Sequence, residues 1–433
     1  MRAFAAGCLA ACLLVLAGVA RATTPEADVA AESRQLLVML RAPAVHDRPD
    51  AAYAGDYQDA PGHAARVRLA RRLAAAHGLQ LRTDWPMPAL GLACFVMEVA
   101  PADDAGGDGV ARAVEALARD ARVESVQPMQ RFDVLSDARP LAGDPLFAAQ
   151  PAAAAWRLRE LHAVTTGRGV LVAMIDSGVA ATHPDLRGQV AASRDFVADA
   201  ADARVVAERH GTEVAGLIAA RADNRLGIAG VAPHARLLAL RACRETTADG
   251  AARCTSFTLA KALQFAIDRR AQVINLSLGG PRDPLLARLL DVAMQRGATV
   301  VAAVDPRASD GGFPATHAGV LAVAGDARRA LPMQAVLAPS AALPTTTADG
   351  GWGLVDGASF AAAQVSGLVA LLRQSAPHAR AAALRDGLAP AAALGSAPVR
   401  PLPVDACAAV ARASGACACG CRRVTSAEAT SRH

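Results

Sequence analysis

The strongest constraint on the fold is a regular alternation of apolar strands with helices that begins near residue 169. The segments GVLVAMID, ARLLALRAC, QVINLSLGG and ATVVAAVD are short, almost continuously apolar, and bounded by glycine or polar residues. Helical patterns such as SFTLAKALQFAIDRRA and DPLLARLLDVAMQRG separate them. Strands that are apolar on both faces are typical of a parallel sheet covered on both sides. The pattern therefore predicts an α/β fold with a mostly parallel sheet and helices on both faces.

A smaller unit precedes this alternation. Between residues 35 and 134 the chain reads strand, helix, strand, helix, strand, with RQLLVMLRA and LACFVMEVA as the clearest strands. Two β-α-β units of this length predict a small α+β domain. A stretch with two prolines and a glycine follows and predicts a linker. The predicted division is 23–135 for the small domain, 136–149 for the linker, 150–410 for the large domain and 411–433 for a cysteine-rich tail.

The extreme N-terminus predicts export. Arg2 is followed by an apolar run over residues 3–20 and then by the small-residue site ARA. This pattern is typical of a secretory signal peptide, here residues 1–22, cleaved after Ala22. Two alternatives stay open, an uncleaved membrane anchor and lipid attachment at Cys12 within LAAC. We expect a periplasmic or secreted protein without a stable membrane anchor.

Charge and cysteine content narrow the class further. The chain has 45 basic and 40 acidic residues, a net charge of +5 without a dense basic block, so a nucleic-acid partner is not expected. Cys243 and Cys254 bracket the polar, turn-rich insertion RETTADGAAR, which predicts a disulfide between them; two free thiols are the alternative. For the cysteines of the tail, including CACGC, oxidation is favoured over metal binding and no pairing is predicted.

Three residue types that support nucleophilic catalysis stand at comparable positions. Asp176 ends the apolar strand VLVAMID, His210 begins the helix RHGTEVAG, and Ser359 begins a helix of small residues in GASFAAAQVSG. Each has a plainer interpretation as a turn or cap residue. Active groups of parallel sheets collect at the carboxyl ends of the strands, and a serine needs an imidazole and a carboxylate to become a nucleophile.

The ordered motifs VAMIDSGV, HPDL, HGTEVAG, GIAGVAP, INLSLGG, FPA and GASFAAAQVSG resemble the subtilisin-like serine proteases, or subtilases, over about residues 144–407. The resemblance implies a catalytic triad of Asp176, His210 and Ser359. It also implies that a strand segment pairs with the substrate backbone, formed by Ser277, Leu278 and Gly279.

The small N-terminal domain then resembles the family's propeptide, which acts as an intramolecular chaperone and inhibitor. In that case the protein's own propeptide is a partner, and self-cleavage is expected within the flexible linker 136–149. An unrelated appended domain is the alternative.

The chain departs from the family pattern near the motifs. Glu213 stands where the family usually has histidine, and Arg209 where it usually has glycine. Ala358 and Phe360 flank the serine in place of threonine and methionine. Asp305 falls closest to the asparagine that donates to the oxyanion in the family. An ionised aspartate cannot donate, whereas one held protonated by burial can, and both alternatives stay open.

The resemblance also implies a structural calcium ion held in part by side-chain oxygens of Asp185 and Asn224, with a capped turn as the alternative. No cofactor is expected to be required for catalysis. The leading interpretation is a secreted, self-processing serine endopeptidase acting on proteins or peptides. The alternative is a protease-fold protein of weak or no activity that serves as a binding or chaperone partner.

Overall fold

The structure is a computed structural model. It describes residues 32–41, 60–101, 107–134, 137–141, 146–198, 206–246, 252–388, 399–415 and 419. The predicted signal peptide lies outside the described residues, as does most of the cysteine-rich tail. Among the helices that are described, none combines the length and apolarity needed to cross a membrane.

The N-terminal domain is an antiparallel sheet covered by two helices. Its elements are β1 (Gln35–Arg41), α1 (Ala60–Ala76), β2 (Leu79–Met87), β3 (Leu92–Val99), α2 (Gly109–Ala118) and β4 (Ser125–Pro128). The strand order is β2-β3-β1-β4. The predicted α+β class is confirmed. The sequence pattern did not indicate β2, because this half-exposed edge strand contains Pro86 and few apolar residues.

The rest of the chain builds the large domain, except that β5 ends the predicted N-terminal unit (23–135) and pairs into a sheet of the large domain. Its strands, in chain order, are β5 (Arg131–Val134), β6 (Asp137–Leu141), β7 (Leu171–Asp176), β8 (Val190–Asp195), β9 (Arg236–Arg241), β10 (Cys243–Glu245), β11 (Ala252–Thr255), β12 (Val273–Leu276), β13 (Leu278–Gly279), β14 (Thr299–Ala303), β15 (Leu321–Ala324), β16 (Ala335–Leu337), β17 (Leu343–Thr346), β18 (Trp352–Asp356) and β19 (Leu402–Pro403). Its helices are α3 (Pro151–Ala155), α4 (Leu158–His162), α5 (Arg209–Ala219), α6 (Ser256–Asp268), α7 (Pro284–Gln295), α8 (Ala358–Ser375), α9 (Ala381–Leu388) and α10 (Ala406–Ser414).

Eight of these strands form the central sheet, in the order β19-β16-β15-β14-β12-β7-β9-β8. All neighbouring pairs in it are parallel, which confirms the predicted fold class. One apolar core lies between the sheet and the pair α5 and α8, and a second lies between the sheet and the pair α6 and α7. The inner strands are buried on both faces because both cores draw side chains from them, whereas the edge strands β8 and β19 are partly or fully exposed.

The N-terminal domain packs on the second of these cores. Leu37, Met39, Cys94 and Val96, on one face of its sheet, belong to the same apolar cluster as α6 and α7. The other face of the sheet packs against α1 and α2 in a core of its own. The domain is therefore held by an apolar surface that it shares with two helices of the large domain.

The segment predicted as a flexible linker is in part a strand. Within 136–149, β6 pairs antiparallel with β18, and Phe147–Ala149 forms a short 3₁₀ helix. Pro140 and Gly143 indicate a loop only from local propensity. The edge of β18 offers backbone partners that local sequence does not reveal, so Asp137–Leu141 forms a strand that the sequence pattern did not indicate within the predicted linker.

Two small sheets complete the fold, with strand orders β10-β11-β5-β13 and β17-β18-β6. The predicted disulfide between Cys243 and Cys254 is present and joins residues directly opposite each other in β10 and β11. A second disulfide, for which no pairing was predicted, joins Cys407 to Cys419. Cys94 is free and buried.

Candidate active site

The carboxyl edge of the central sheet brings the three predicted residues to one place. Asp176 is the last residue of β7, His210 is the second residue of α5, and Ser359 is the second residue of α8. The ring of Phe360, the residue after Ser359, lies with its centroid 5.3 Å from that of the His210 ring. All three side chains are buried, with at most 1% of their surface exposed.

Asp176 and His210 form a direct pair. Asp176 Oδ1 lies 2.6 Å from His210 Nδ1 and also accepts the backbone N–H of Ser177 at 2.7 Å. His210 Nε2 is buried and has no hydrogen-bond partner among the described residues. The carboxylate therefore fixes the protonated nitrogen as Nδ1 and leaves Nε2 able to accept a proton.

Electrostatics favour the charged imidazole. Burial alone lowers the pKa of His210, but the charge of Asp176 and its hydrogen bond outweigh burial and, with Glu213 and Glu245, hold that pKa above its ordinary value. A base of raised pKa is unprotonated only at correspondingly higher pH. The raised pKa therefore places proton abstraction by His210 at higher pH than for an ordinary histidine.

Ser359 is embedded in neutral hydrogen bonds. Its hydroxyl donates to the carbonyl of Ser277 at 2.9 Å, and the Ser277 hydroxyl donates to the carbonyl of Ser359 at 2.8 Å. Asn275 donates to the Ser277 hydroxyl and accepts from Ser366. Ser359 also lies in the first turn of an 18-residue helix, where the helix dipole favours a developing negative charge.

The predicted substrate-pairing segment is occupied by the chain itself. Leu278 and Gly279 form β13, which pairs antiparallel with β5, Val134 opposite Leu278 and Asp133 opposite Gly279. On its other side β5 pairs with β11. Ser277 directly precedes β13, so the end of β5 points toward Ser359. β5 is the middle strand between β11 and β13, which is where an extended peptide would pair with them.

The next strand along the chain, β6, lies on the other side of Ser359. β6 pairs with β18, Asp137 opposite Asp356, three residues before Ser359. Thus the end of β5 and the start of β6 lie on either side of the serine, and only two residues separate them in sequence. The two strands have the extended, paired geometry of a bound peptide.

Phe132 of β5 is fully buried in the large domain. Its ring contacts that of Phe313, with centroids 6.2 Å apart. A Cβ atom added at Gly280 would lie only 2.4 Å from the Phe132 ring, so only glycine leaves room for the aromatic side chain there. The cleft therefore holds a pocket that accepts a large apolar side chain near the start of β5.

Asp305 follows β14 and lies beside β13. A Cβ atom added at Gly279 would be 3.0 Å from that of Asp305. Its Oδ1 accepts the backbone N–H of Arg307 at 2.9 Å and the guanidinium Nε of Arg307 at 3.2 Å. In this arrangement the carboxylate is an acceptor paired with a cation, whereas an oxyanion needs a donor.

The residues predicted for calcium contact each other through hydrogen bonds that do not fit a cation. Asp185, fully buried, accepts from the amide nitrogen of Asn224 at 2.7 Å and from the Trp352 indole at 2.7 Å. The Asn224 oxygen in turn accepts from the backbone of Leu226. Calcium needs free oxygen lone pairs, and here N–H groups occupy them. Gly227 packs so closely that an added Cβ would lie 1.7 Å from the indole nitrogen.

Sequence reasoning missed a group of charged residues behind His210. Glu208, the residue before α5, is buried and accepts from Arg241 Nε at 2.6 Å. Arg241 ends β9, directly beside Asp176 in the sheet, and also pairs with Asp195 at 3.0 Å. The available signal in the sequence was two charged residues: Arg241, which ends an apolar strand, and Glu208, which directly precedes the helix that carries His210.

The comparisons with known proteins identify the family of the chain. The model of the "Subtilase family" matches residues 167–414, more than half of the chain. The chain belongs to the subtilase family.

The individual relatives match a smaller part of the chain than the family model does. The chain is 38% identical over 220 residues to "Thermophilic serine proteinase" of Bacillus sp. (strain AK1), a match spanning 48% of this chain and 53% of that protein. It is 35% identical over 237 residues to Subtilisin E of Bacillus subtilis (strain 168), spanning 52% and 60%. The chain thus spans between half and two thirds of the length of these relatives.

A solved structure shares the fold. The crystal structure of fervidolysin from Fervidobacterium pennivorans, a keratinolytic enzyme related to subtilisin, superposes with a TM-score of 0.61 at 22% identity. The similarity covers 87% of this chain and 60% of that one. The coverage extends beyond the family match, so it includes much of the region before residue 167.

Proposed function

We propose that this protein is an exported serine endopeptidase in which Asp176, His210 and Ser359 act as the catalytic triad. The observation that carries the proposal is the Asp176–His210 pair, with an unpartnered buried Nε2, next to the helix that begins with Ser359. Proteins or peptides are the substrates. They lie along Ser277, Leu278 and Gly279, as β5 does here.

The reaction proceeds in two proton-coupled halves. His210 Nε2 takes the hydroxyl proton of Ser359 as Oγ attacks the peptide carbonyl carbon. The tetrahedral intermediate collapses, the C–N bond breaks, and His210 delivers the proton to the leaving amine. Water then attacks the acyl-enzyme with His210 again as base, which releases the carboxylic acid and restores Ser359. No cofactor takes part in these steps.

The N-terminal domain acts as a propeptide that inhibits the enzyme until it is cut. Support comes from β5, which fills the cleft between β11 and β13, and from the shared apolar core with α6 and α7. The unprocessed chain is then a zymogen with its own segment in place of substrate. Because β5 and β6 lie on either side of Ser359, the self-cleaved bond falls between Val134 and Asp137, at the start of the predicted linker region.

Two experiments test the proposal together. The wild-type chain should appear as two fragments whose masses place the cut between residues 134 and 137, and Ser359→Ala should stay uncut. A fluorophosphonate probe should label the processed protein at Ser359. Ser375→Ala, at the end of the same helix, is the matched control and should behave as wild type. Cleavage of Ser359→Ala at the same bond would assign maturation to another protease.

A second candidate is a protein of this fold with weak activity that binds partners. The Asp305–Arg307 pair favours it, because a carboxylate beside the cleft opposes the negative charge of the intermediate. Absence of probe labelling in a correctly processed and folded protein would select this candidate. Export itself rests on the N-terminal signal sequence and is tested by N-terminal sequencing of the periplasmic or released protein.

A further inference from the structure

A network of charged side chains connects the two residues of the imidazole–carboxylate pair. One Glu208 oxygen, Oε2, accepts from Gly178, two residues after Asp176, at 2.7 Å. The other, Oε1, accepts the backbone N–H of Glu245 at 3.0 Å. Arg241 donates to both Glu208 oxygens, at 2.6 and 2.8 Å. Glu208 thereby joins the turn after Asp176, the entry to α5 and β10.

Glu245 extends this network to the base. Its Oε1 accepts the backbone N–H of His210 at 2.9 Å. This N–H belongs to the first turn of α5, where the helix itself offers no acceptor. The carboxylate therefore caps the helix from another strand and holds the backbone that carries the imidazole. The Cys243–Cys254 disulfide ties β10, and with it Glu245, to β11.

Several charges face His210 from the elements around it. Asp176 of β7 bonds Nδ1, while Glu213, one turn along α5, is buried and paired with Arg209 at 2.9 Å. Glu245 lies on β10. The pair of Glu208 and Arg241 lies behind them, with Asp195 on the far side of Arg241. Carboxylates outnumber guanidinium groups around the imidazole, so the surroundings favour its cationic form.

Burial raises the pKa of both Glu213 and Glu245, whose neighbouring carboxylates act in the same direction. Their negative charge contributes to the raised pKa of His210, after Asp176.

We propose that Glu245 is a positioning residue for His210: its carboxylate caps the start of α5 and, with that of Glu213, places negative charge around the imidazole. The proposal rests on the proposed function only for its kinetic consequences. The hydrogen bond from the His210 backbone to Glu245 and the negative charge around the imidazole are present in the folded protein, whether or not it hydrolyses substrate. Neither Glu245 nor Glu213 touches the reacting atoms.

The test separates the hydrogen bond from the charge. Glu245→Gln keeps an acceptor of the same shape and removes the charge, whereas Glu245→Ala removes both. In kcat/KM against pH, Glu245→Gln should move the acid limb down by about half a pH unit. Glu245→Ala should show the same move and, in addition, a loss of about tenfold on the alkaline plateau from misplacement of the imidazole. We expect Glu245→Gln, unlike Glu245→Ala, to keep the wild-type value of kcat/KM on the alkaline plateau.

A second measurement does not depend on activity. In the uncut Ser359→Ala protein, NMR titration of His210 should give a lower pKa when Glu245→Gln or Glu213→Gln is added. Glu160→Gln, an exposed carboxylate paired with Arg157, is the matched control and should change neither profile. The proposal is overturned if the His210 titration is unchanged by Glu245→Gln, or if glutamine does not restore the plateau lost in alanine. Activity remaining in Ser359→Ala would instead refute the proposed function and leave the titration result standing.

Discussion

The two sides of the cleft are built from different kinds of interaction. Around His210 the neighbouring groups are ions: Glu208, Arg241 and Glu213 are buried, and Glu245 is half-buried. Around Ser359 they are neutral hydroxyl and amide groups that bond in a chain. In the proposed reaction, the charge on the serine side develops on the substrate oxygen, whereas the charge on the imidazole side develops on a protein side chain. Fixed charges set where that group titrates, and neutral bonds fix the serine backbone without adding a field.

The largest expected effect comes from removing the charge of Asp176, the carboxylate that pairs directly with His210. Asp176→Asn should reduce kcat/KM by about 10⁴-fold, because an amide no longer selects the tautomer with the proton on Nδ1 or stabilises the imidazolium. Hydrolysis of a peptide substrate measures it, after the wild-type enzyme has cut the Asp176→Asn chain in trans. Asp291→Asn on the surface of α7 is the control and should be silent. A loss below tenfold would show that Asp176 does not orient His210.

The next effect adds a donor to the other side of the cleft. Asp305→Asn should raise kcat/KM at neutral pH, since an amide can donate to the oxyanion and no longer opposes its charge. One such donor is worth about 10²–10³ in rate, a magnitude taken from a related subtilisin. The measurement is kcat/KM from pH 5 to 9 for both proteins. Lower activity of Asp305→Asn at every pH would assign the Asp305–Arg307 pair a structural role.

Stability should also distinguish the two sides. Arg241→Met leaves Glu208 and Asp195 as buried carboxylates without their cation and should cost about 3 kcal/mol in the free energy of unfolding. Ser366→Ala removes one neutral donor to Asn275 and should cost about 1 kcal/mol. Chemical denaturation of the uncut Ser359→Ala protein measures both. Equal losses would contradict the division into an ionic and a neutral side.

The smallest effect concerns a carboxylate that is neither beside His210 nor beside Ser359. Asp185 already accepts from Asn224 and Trp352, so calcium or a chelator should leave the melting temperature unchanged. Trp352→Phe should instead lower the free energy of unfolding by about 1–3 kcal/mol, because a buried carboxylate oxygen loses a donor. An increase in melting temperature with calcium would restore Asp185 and Asn224 as ligands.

The sequence predicted those features of the fold that depend on residues close together in the chain. Continuous apolar strands such as VLVAMID predicted a parallel sheet, because only strands covered on both faces have that composition. The Cys243–Cys254 disulfide was predictable because the two cysteines enclose a short polar insertion between a strand and a helix. The edge strand β2 was missed because an exposed, proline-containing strand has no comparable pattern.

By itself, the sequence determined the α/β class and the positions of Asp176, His210 and Ser359 at strand ends and helix starts. Tertiary structure decided what each of them contacts. It placed β5 and β6 on either side of Ser359, and it brought Glu208, Arg241 and Glu245 behind His210. The reason is that periodicity is set by near neighbours along the chain. Hydrogen bonds and charge pairs between residues more than thirty positions apart exist only once the sheet has assembled.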